Sequence, residues 1–156
     1  MNIELLLANY ELAVEQAPRR VVADTAKWAA DVPQEAGVYV LWKEGAPVYV
    51  GETSGLRLRL RDLTNFENHS FAKNAAREFT IATDDLVMLR QVLSQNYELS
   101  FVVVPFGRKE VEEYLILRWR STLVNKSTSR LKKSKQYDWV QPSPRLPLVA
   151  SRSGHQ

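Results

Sequence analysis

Residues 37–51 read GVYVLWKEGAPVYVG, two short runs rich in Val and Tyr on either side of Glu44-Gly45-Ala46. β-Branched and aromatic residues around a glycine-bearing turn predict a β-hairpin. Tyr39 and Tyr49 stand near the outer ends of the two runs, and tyrosines on neighbouring strands can lie close on one face. Gly51 is read as a tight turn into a helix that Thr53 or Ser54 caps and that runs to about Leu63. Along that helix Arg57, Arg59 and Arg61 alternate, so they cannot share a face. Arg59 points differently from its neighbours, while Leu56, Leu60 and Leu63 fit a buried side.

The rest of the chain reads mainly as helix. NIELLLANYELAVEQA carries Leu5, Leu6, Tyr10, Leu12 and Ala13 at helical spacing and is closed by Pro18, Arg19 and Arg20. Asp24 begins a short helical turn that stops before Pro33. Asn68 or Ser70 caps a further helix, and Thr83 with two acids starts another. ELSFVVVPF is a strand, near-continuously apolar and therefore expected to be buried on both faces. GRKEVEEYLILRWRSTL is the last helix, and beyond Asn125 the periodicity fades among Pro142, Pro144 and Pro147. The order predicts a small α/β domain, a three-stranded antiparallel or mixed sheet flanked by helices. Residues 1–32 form an N-terminal helical extension, 33–125 the central domain, and 126–156 a basic, proline-containing extension whose last residues lack order.

Composition narrows the chemistry. A chain of 156 residues without cysteine has no disulfide, thiolate metal site or thiol nucleophile. No apolar run approaches the roughly 18 residues of a membrane span. Glu4 and Glu11 interrupt the first apolar stretch, and no basic region precedes it, which argues against a signal peptide. The expected location is cytoplasmic. The net charge of +3 is uneven: residues 126–156 hold seven bases and one acid, Asp138, against a mildly acidic remainder. Such a tail adds affinity for phosphate or is simply a solvated extension. Trp28, Trp42 and Trp119 read as core. Trp139, among lysines and Tyr137, suits either base stacking or a tail folded back on the body.

The ordered motifs resemble the GIY-YIG nuclease family. Its two tripeptides correspond to Gly37-Val38-Tyr39 and Tyr49-Val50-Gly51, and its helix arginine to Arg59, eight residues past Gly51 and preceded by Leu56. Its metal-binding glutamate, twelve residues before an asparagine, corresponds to Glu113 when counted back from Asn125. The resemblance covers roughly residues 37–125. It implies a GIY-YIG-like fold in a single-domain, stand-alone member, with one Mg²⁺ or Mn²⁺ on Glu113. It further implies Tyr39 as the base that activates water, with its phenol pKa lowered by nearby cations, and Tyr49 as an orienting group. Arg59 would stabilise charge on a five-coordinate phosphorus, and Asn125 would hold neighbouring groups in place.

Three positions depart from the pattern. Leu63 stands where many members have Tyr or His, and His69 is the nearest substitute, brought to the site by a loop and able to exchange protons near neutral pH. Glu52 replaces a lysine that some members carry; it would repel the phosphate or assist the metal. Thr122 replaces a proline.

The implied function is a metal-dependent endonuclease that hydrolyses DNA phosphodiester bonds by direct attack of water. Its backbone contacts are expected from Arg57, Arg61, Lys126, Arg130, Lys132, Lys133 and Lys135. The expected substrate is double-stranded or branched DNA; with little room for a recognition domain, either specificity is low, or the chain reads DNA structure, or a homodimer or recognition partner supplies recognition. The alternatives are a nucleic-acid-binding module of the same fold with weak or no cleavage, favoured by Leu63 and Glu52, and a protein-interaction domain.

Overall fold

In the computed structural model, which describes residues 2–126, 128, 130, 131 and 137–144, the hairpin is built as its composition dictates. β1 is Arg20–Val21, β2 Gly37–Lys43, β3 Ala46–Thr53 and β4 Glu98–Val103. Between β2 and β3, Glu44 and Gly45 take φ of 53° and 80°, the paired left-handed conformations of a two-residue hairpin turn. Ala46 is thereby released from the turn to pair with Lys43.

The sheet has four strands in the order β1-β4-β2-β3, all antiparallel, rather than three. The extra strand pairs Arg20 with Leu99 and Val21 with Glu98. Two residues are too few to show any alternation, so the sequence there reads as the end of a helix. β4 is also less covered than expected: Leu99 and Ser100 are buried, but Val103 is exposed, because β1 shields only its first residues.

Helices cover both faces. α2 (Leu56–Arg61), α3 (Ser70–Glu78) and α4 (Leu86–Asn96) lie over the face carrying Tyr39, Leu41 and Tyr49, with Leu56, Leu60, Leu63, Phe71, Leu89 and Leu93 in the same core. α1 (Ile3–Gln16) and α5 (Arg108–Arg118) pack on the opposite face, where Leu7, Val14, Val38, Val40, Trp42, Val50, Leu115 and Trp119 meet. Period-two alternation in β2 sends Tyr39 and Leu41 one way and Val38, Val40 and Trp42 the other, so both sides are apolar.

Several local expectations shift. The stripe α1 buries is Leu7, Glu11 and Val14, whereas Leu5 and Leu12 are exposed. Glu11 can sit inside because Arg118 Nε donates to it at 3.0 Å and Tyr114 Oη at 3.2 Å. Residues 25–32 form successive tight turns, Trp28 N–H to Thr25 O and Val32 N–H to Ala29 O, without a regular helix. α2 ends in a 3-10 turn, Asp62–Thr64, and is capped by Gly55, with Thr53 Oγ1 accepting from Gly55 N–H. The cap of α3 is His69, and that of α4 is Asp85, which accepts from Met88 N–H.

Beyond Asn125, Leu131 and Tyr137 are buried in the α5 core and Ser143 N–H donates to Arg118 O at 2.7 Å. Lys132, Lys133, Lys135 and the residues after 144 lie outside the described residues. No helix among those described is long and apolar enough to cross a membrane.

Candidate active site

The mirrored tripeptides have a packing reason. Tyr39 on β2 is directly opposite Gly51 on β3, and the tyrosine ring lies across the glycine. A Cβ at residue 51 would collide with the Tyr39 phenol oxygen and the ring carbon bearing it. The glycine is thus required for close approach and not for a turn, since β3 continues to Thr53. Tyr49 sits on the diagonal, with its ring centroid 6.3 Å from that of Tyr39 and the planes 28° apart.

His69 completes this cluster. It is fully buried, and its Nε2 lies 3.0 Å from Tyr39 Oη. Its Nδ1 accepts the N–H of Phe71 at 3.1 Å, which caps α3. A neutral ring that accepts at Nδ1 carries its proton on Nε2, so His69 donates to Tyr39. Burial, with the Arg59 charge adding to it, holds its pKa down to about 3. His69 therefore reaches the site as expected, but as a neutral donor of fixed tautomer that does not titrate near neutrality.

Arg59 Nη1 donates to Asn68 O at 2.9 Å and lies 3.9 Å from Asp62 Oδ2. The loop before α3 thus holds it beside the cluster, where its charge acts on Tyr39, Tyr49 and His69. Burial nevertheless raises the pKa of both phenols, with Arg59 opposing only in part. The direction is opposite to the expected lowering, because desolvation of a phenolate outweighs one cation. At Tyr49 burial dominates, with Ser70, Arg59 and Tyr39 opposing it only in part.

Among the described acids, Glu112 is the one whose charge is felt at the tyrosines. Burial first, then Glu52 and Glu113, raise its own pKa to about 7. Glu113 is engaged elsewhere: Tyr137 Oη donates to its Oε1 at 2.7 Å, and Arg130 Nε lies 3.1 Å from Oε2. The expectation at Glu113 rested on spacing to Asn125. That spacing runs out of α5 into turns, so it cannot separate two adjacent helix positions that differ by about 100° in direction. No periodicity in VEEYLIL marks Glu112.

Glu52 is neutralised by Arg108, whose Nε is 2.7 Å from Oε1. Leu63 is core, fully buried beside Leu60 and Phe71. Asn125 clasps β3 from outside the sheet: Oδ1 accepts from Val50 N–H at 3.2 Å and Nδ2 donates to Val50 O at 2.6 Å. Thr122 Oγ1 adds a bond to Pro47 O at 2.6 Å.

Of the residues expected to contact a phosphate backbone, Arg57 is tied to Val32 O at 2.6 Å and Lys126 to Arg120 O at 2.7 Å. Arg130 pairs with Glu110 at 2.8 Å as well as with Glu113. Arg61 is exposed at the end of α2. Trp139 packs against Tyr114 with ring centroids 5.9 Å apart, so the tail folds back there.

Among the described residues no group of three or more His, Cys, Asp or Glu converges on one point. Glu112 is half-buried and forms no ion pair among them. A hard cation held by one carboxylate would complete its shell with water and phosphate oxygens.

No protein-family model and no curated protein matches the chain. Among solved structures it is similar to the GIY-YIG N-terminal endonuclease domain of UvrC from Thermotoga maritima. Two tyrosine-to-phenylalanine mutants of that domain, each bound to its catalytic divalent cation, align over 60% of this chain and 87% of theirs, at 24% and 26% identity and a TM-score of 0.39. The magnesium-bound form aligns over 72% of this chain and 91% of its own, at 21% identity and 0.36.

Proposed function

We propose that this chain is a metal-dependent endonuclease that hydrolyses DNA phosphodiester bonds by direct attack of water. The observation that carries the reading is the meeting of Tyr39, Tyr49, Arg59, His69 and Glu112, drawn from β2, β3, α2, α3 and α5, at one site. Tyr39 and Tyr49 also serve the core and His69 also caps α3, but a fixed cation and a carboxylate beside phenol hydroxyls have no such packing role and are groups that phosphoryl transfer uses.

Glu112, in place of Glu113, would hold the Mg²⁺ or Mn²⁺. Bound there, the cation supplies charge that polarises a phosphate oxygen and favours proton loss from a neighbouring hydroxyl. Arg59 faces the phosphate, and its fixed charge stabilises the five-coordinate phosphorus more than the ground state. His69 Nε2–H hydrogen-bonds Tyr39 Oη, which orients the phenol and stabilises its anion. Tyr39 would act as the base in its phenolate form, its own proton having passed to solvent when the metal and Arg59 charges are in place, and would then accept the proton of the attacking water. Tyr49, whose ring centroid lies 6.3 Å from that of Tyr39, orients the water or the phosphate.

The test is nicking of supercoiled, linear and branched DNA with Mg²⁺, Mn²⁺ or EDTA. Wild-type protein should cut only with metal, and Arg59→Ala or Glu112→Gln should lower the rate about 100-fold or more. Glu113→Gln should still cut. Loss of cutting in folded Glu113→Gln with retention in Glu112→Gln would reverse the metal-site proposal.

The raised phenol pKa values favour one second reading, a nucleic-acid-binding module that cleaves weakly or not at all. Its mark would be steeply salt-dependent binding without metal-dependent cutting.

A further inference from the structure

Phe106 is the most exposed large apolar side chain among the described residues, at 90%. A lone exposed apolar residue is ordinary on a protein surface, so its placement has to carry the argument. It lies at the tip of the short connection between β4 and α5, and both ends of that connection are anchored. Before it, Val104 is fully buried and its N–H donates to Ala36 O at 2.9 Å. After it, Gly107 takes a left-handed φ of 83° and starts α5, with its carbonyl accepting from Val111 N–H at 3.0 Å. The ring is therefore held outward by rigid neighbours on both sides.

Its surroundings are those of the proposed site. Arg108, two residues on, reaches Glu52, the residue after Gly51. Lys109 is exposed, and its charge acts on Glu112. An aromatic face three residues before the exposed Lys109, on the connection that leads into the helix carrying Glu112, matches what a nucleic acid with an unstacked base presents: a π-face for the ring and a phosphate for the cation.

We infer that Phe106 stacks on an unpaired DNA base beside the scissile phosphate, so that the substrate is DNA with single-stranded or branched character. Only the placement of the base beside a cleaved phosphate rests on the proposed nuclease reading; stacking and cleavage are measured separately.

The test is equilibrium binding of the full chain in EDTA. The probes are a forked oligonucleotide with 2-aminopurine at its unpaired position and a fully paired duplex of the same length. Wild-type protein should prefer the fork and quench the 2-aminopurine. Phe106→Ala should lose about 5- to 150-fold on the fork and little on the duplex, and it should lose the quenching. Phe106→Trp should retain both. Matched thermal midpoints establish that the variants are folded. Equal binding of wild type and Phe106→Ala, equal losses on fork and duplex, or no binding by wild type overturns the inference. Fork preference with the Phe106 signature but no cutting in Mg²⁺ leaves it standing and removes the nuclease. Cutting with binding indifferent to Phe106 does the reverse.

Discussion

A histidine that caps a helix with one ring nitrogen and serves a tyrosine with the other has no room for a second proton. Above pH 6.5, the ordinary histidine value, His69 is neutral whether the chain is folded or not. Between 6.5 and about 3 only the unfolded chain takes up the proton, so stability is lost as pH falls through that window. The loss should reach a few kcal/mol. His69→Asn keeps a capping side chain and should flatten this part of the urea-stability profile, while removing the bond to Tyr39. An unchanged acid limb would mean that another group governs it. At Gly51 the prediction is steric. Gly51→Ala places a methyl where the Tyr39 hydroxyl lies, which should cost about 1–3 kcal/mol and reduce any cleavage rate by displacing the phenol. An alanine variant with wild-type activity would show that the ring's position over residue 51 does not matter.

Among the elements, β3 is the one whose outer edge needs a substitute for a neighbouring strand. Asn125 provides it, because a carboxamide presents the same donor and acceptor as a peptide group, and both are spent on Val50. Asn125→Asp keeps the acceptor and sets an anion against the Val50 carbonyl. It should lower stability by about 1–3 kcal/mol, read as an earlier urea midpoint. Because Val50 lies between Tyr49 and Gly51, the same change should reduce activity by loosening β3 under the tyrosines. A shift in neither quantity would mean that the clasp is incidental.

Across the whole molecule, the basic C-terminal segment is partly spent on the protein itself. Arg130 serves Glu110 and Glu113, Tyr137 closes over Glu113, and Leu131 enters the α5 core. Tyr137→Phe leaves a buried carboxylate short of one donor and should cost about 1–3 kcal/mol in chemical denaturation. Arg130→Ala should likewise lower stability more than it weakens DNA affinity. A large affinity loss at unchanged stability would restore Arg130 to the role its charge suggested.

The hairpin, the buried leucines of α2 and the exclusion of thiol chemistry are legible in the amino-acid sequence alone. Each of these depends on residues that are neighbours along the chain, where alternation, helical spacing and glycine act directly. The ordered set Tyr39, Tyr49, Arg59 and Asn125 has a different origin, the resemblance to the GIY-YIG family, which periodicity alone does not supply. That Glu113 is bound by Tyr137 and Arg130 while the charge of the adjacent Glu112 is felt at the tyrosines emerges only when the chain has folded, since the partners involved are remote in the chain. The tertiary structure also decided that His69 is a locked donor, that Glu11 can be buried, and that a two-residue strand extends the sheet. In every one of these cases a polar or short segment has no preference of its own. Its state is set by which distant group arrives to satisfy it when the cores close.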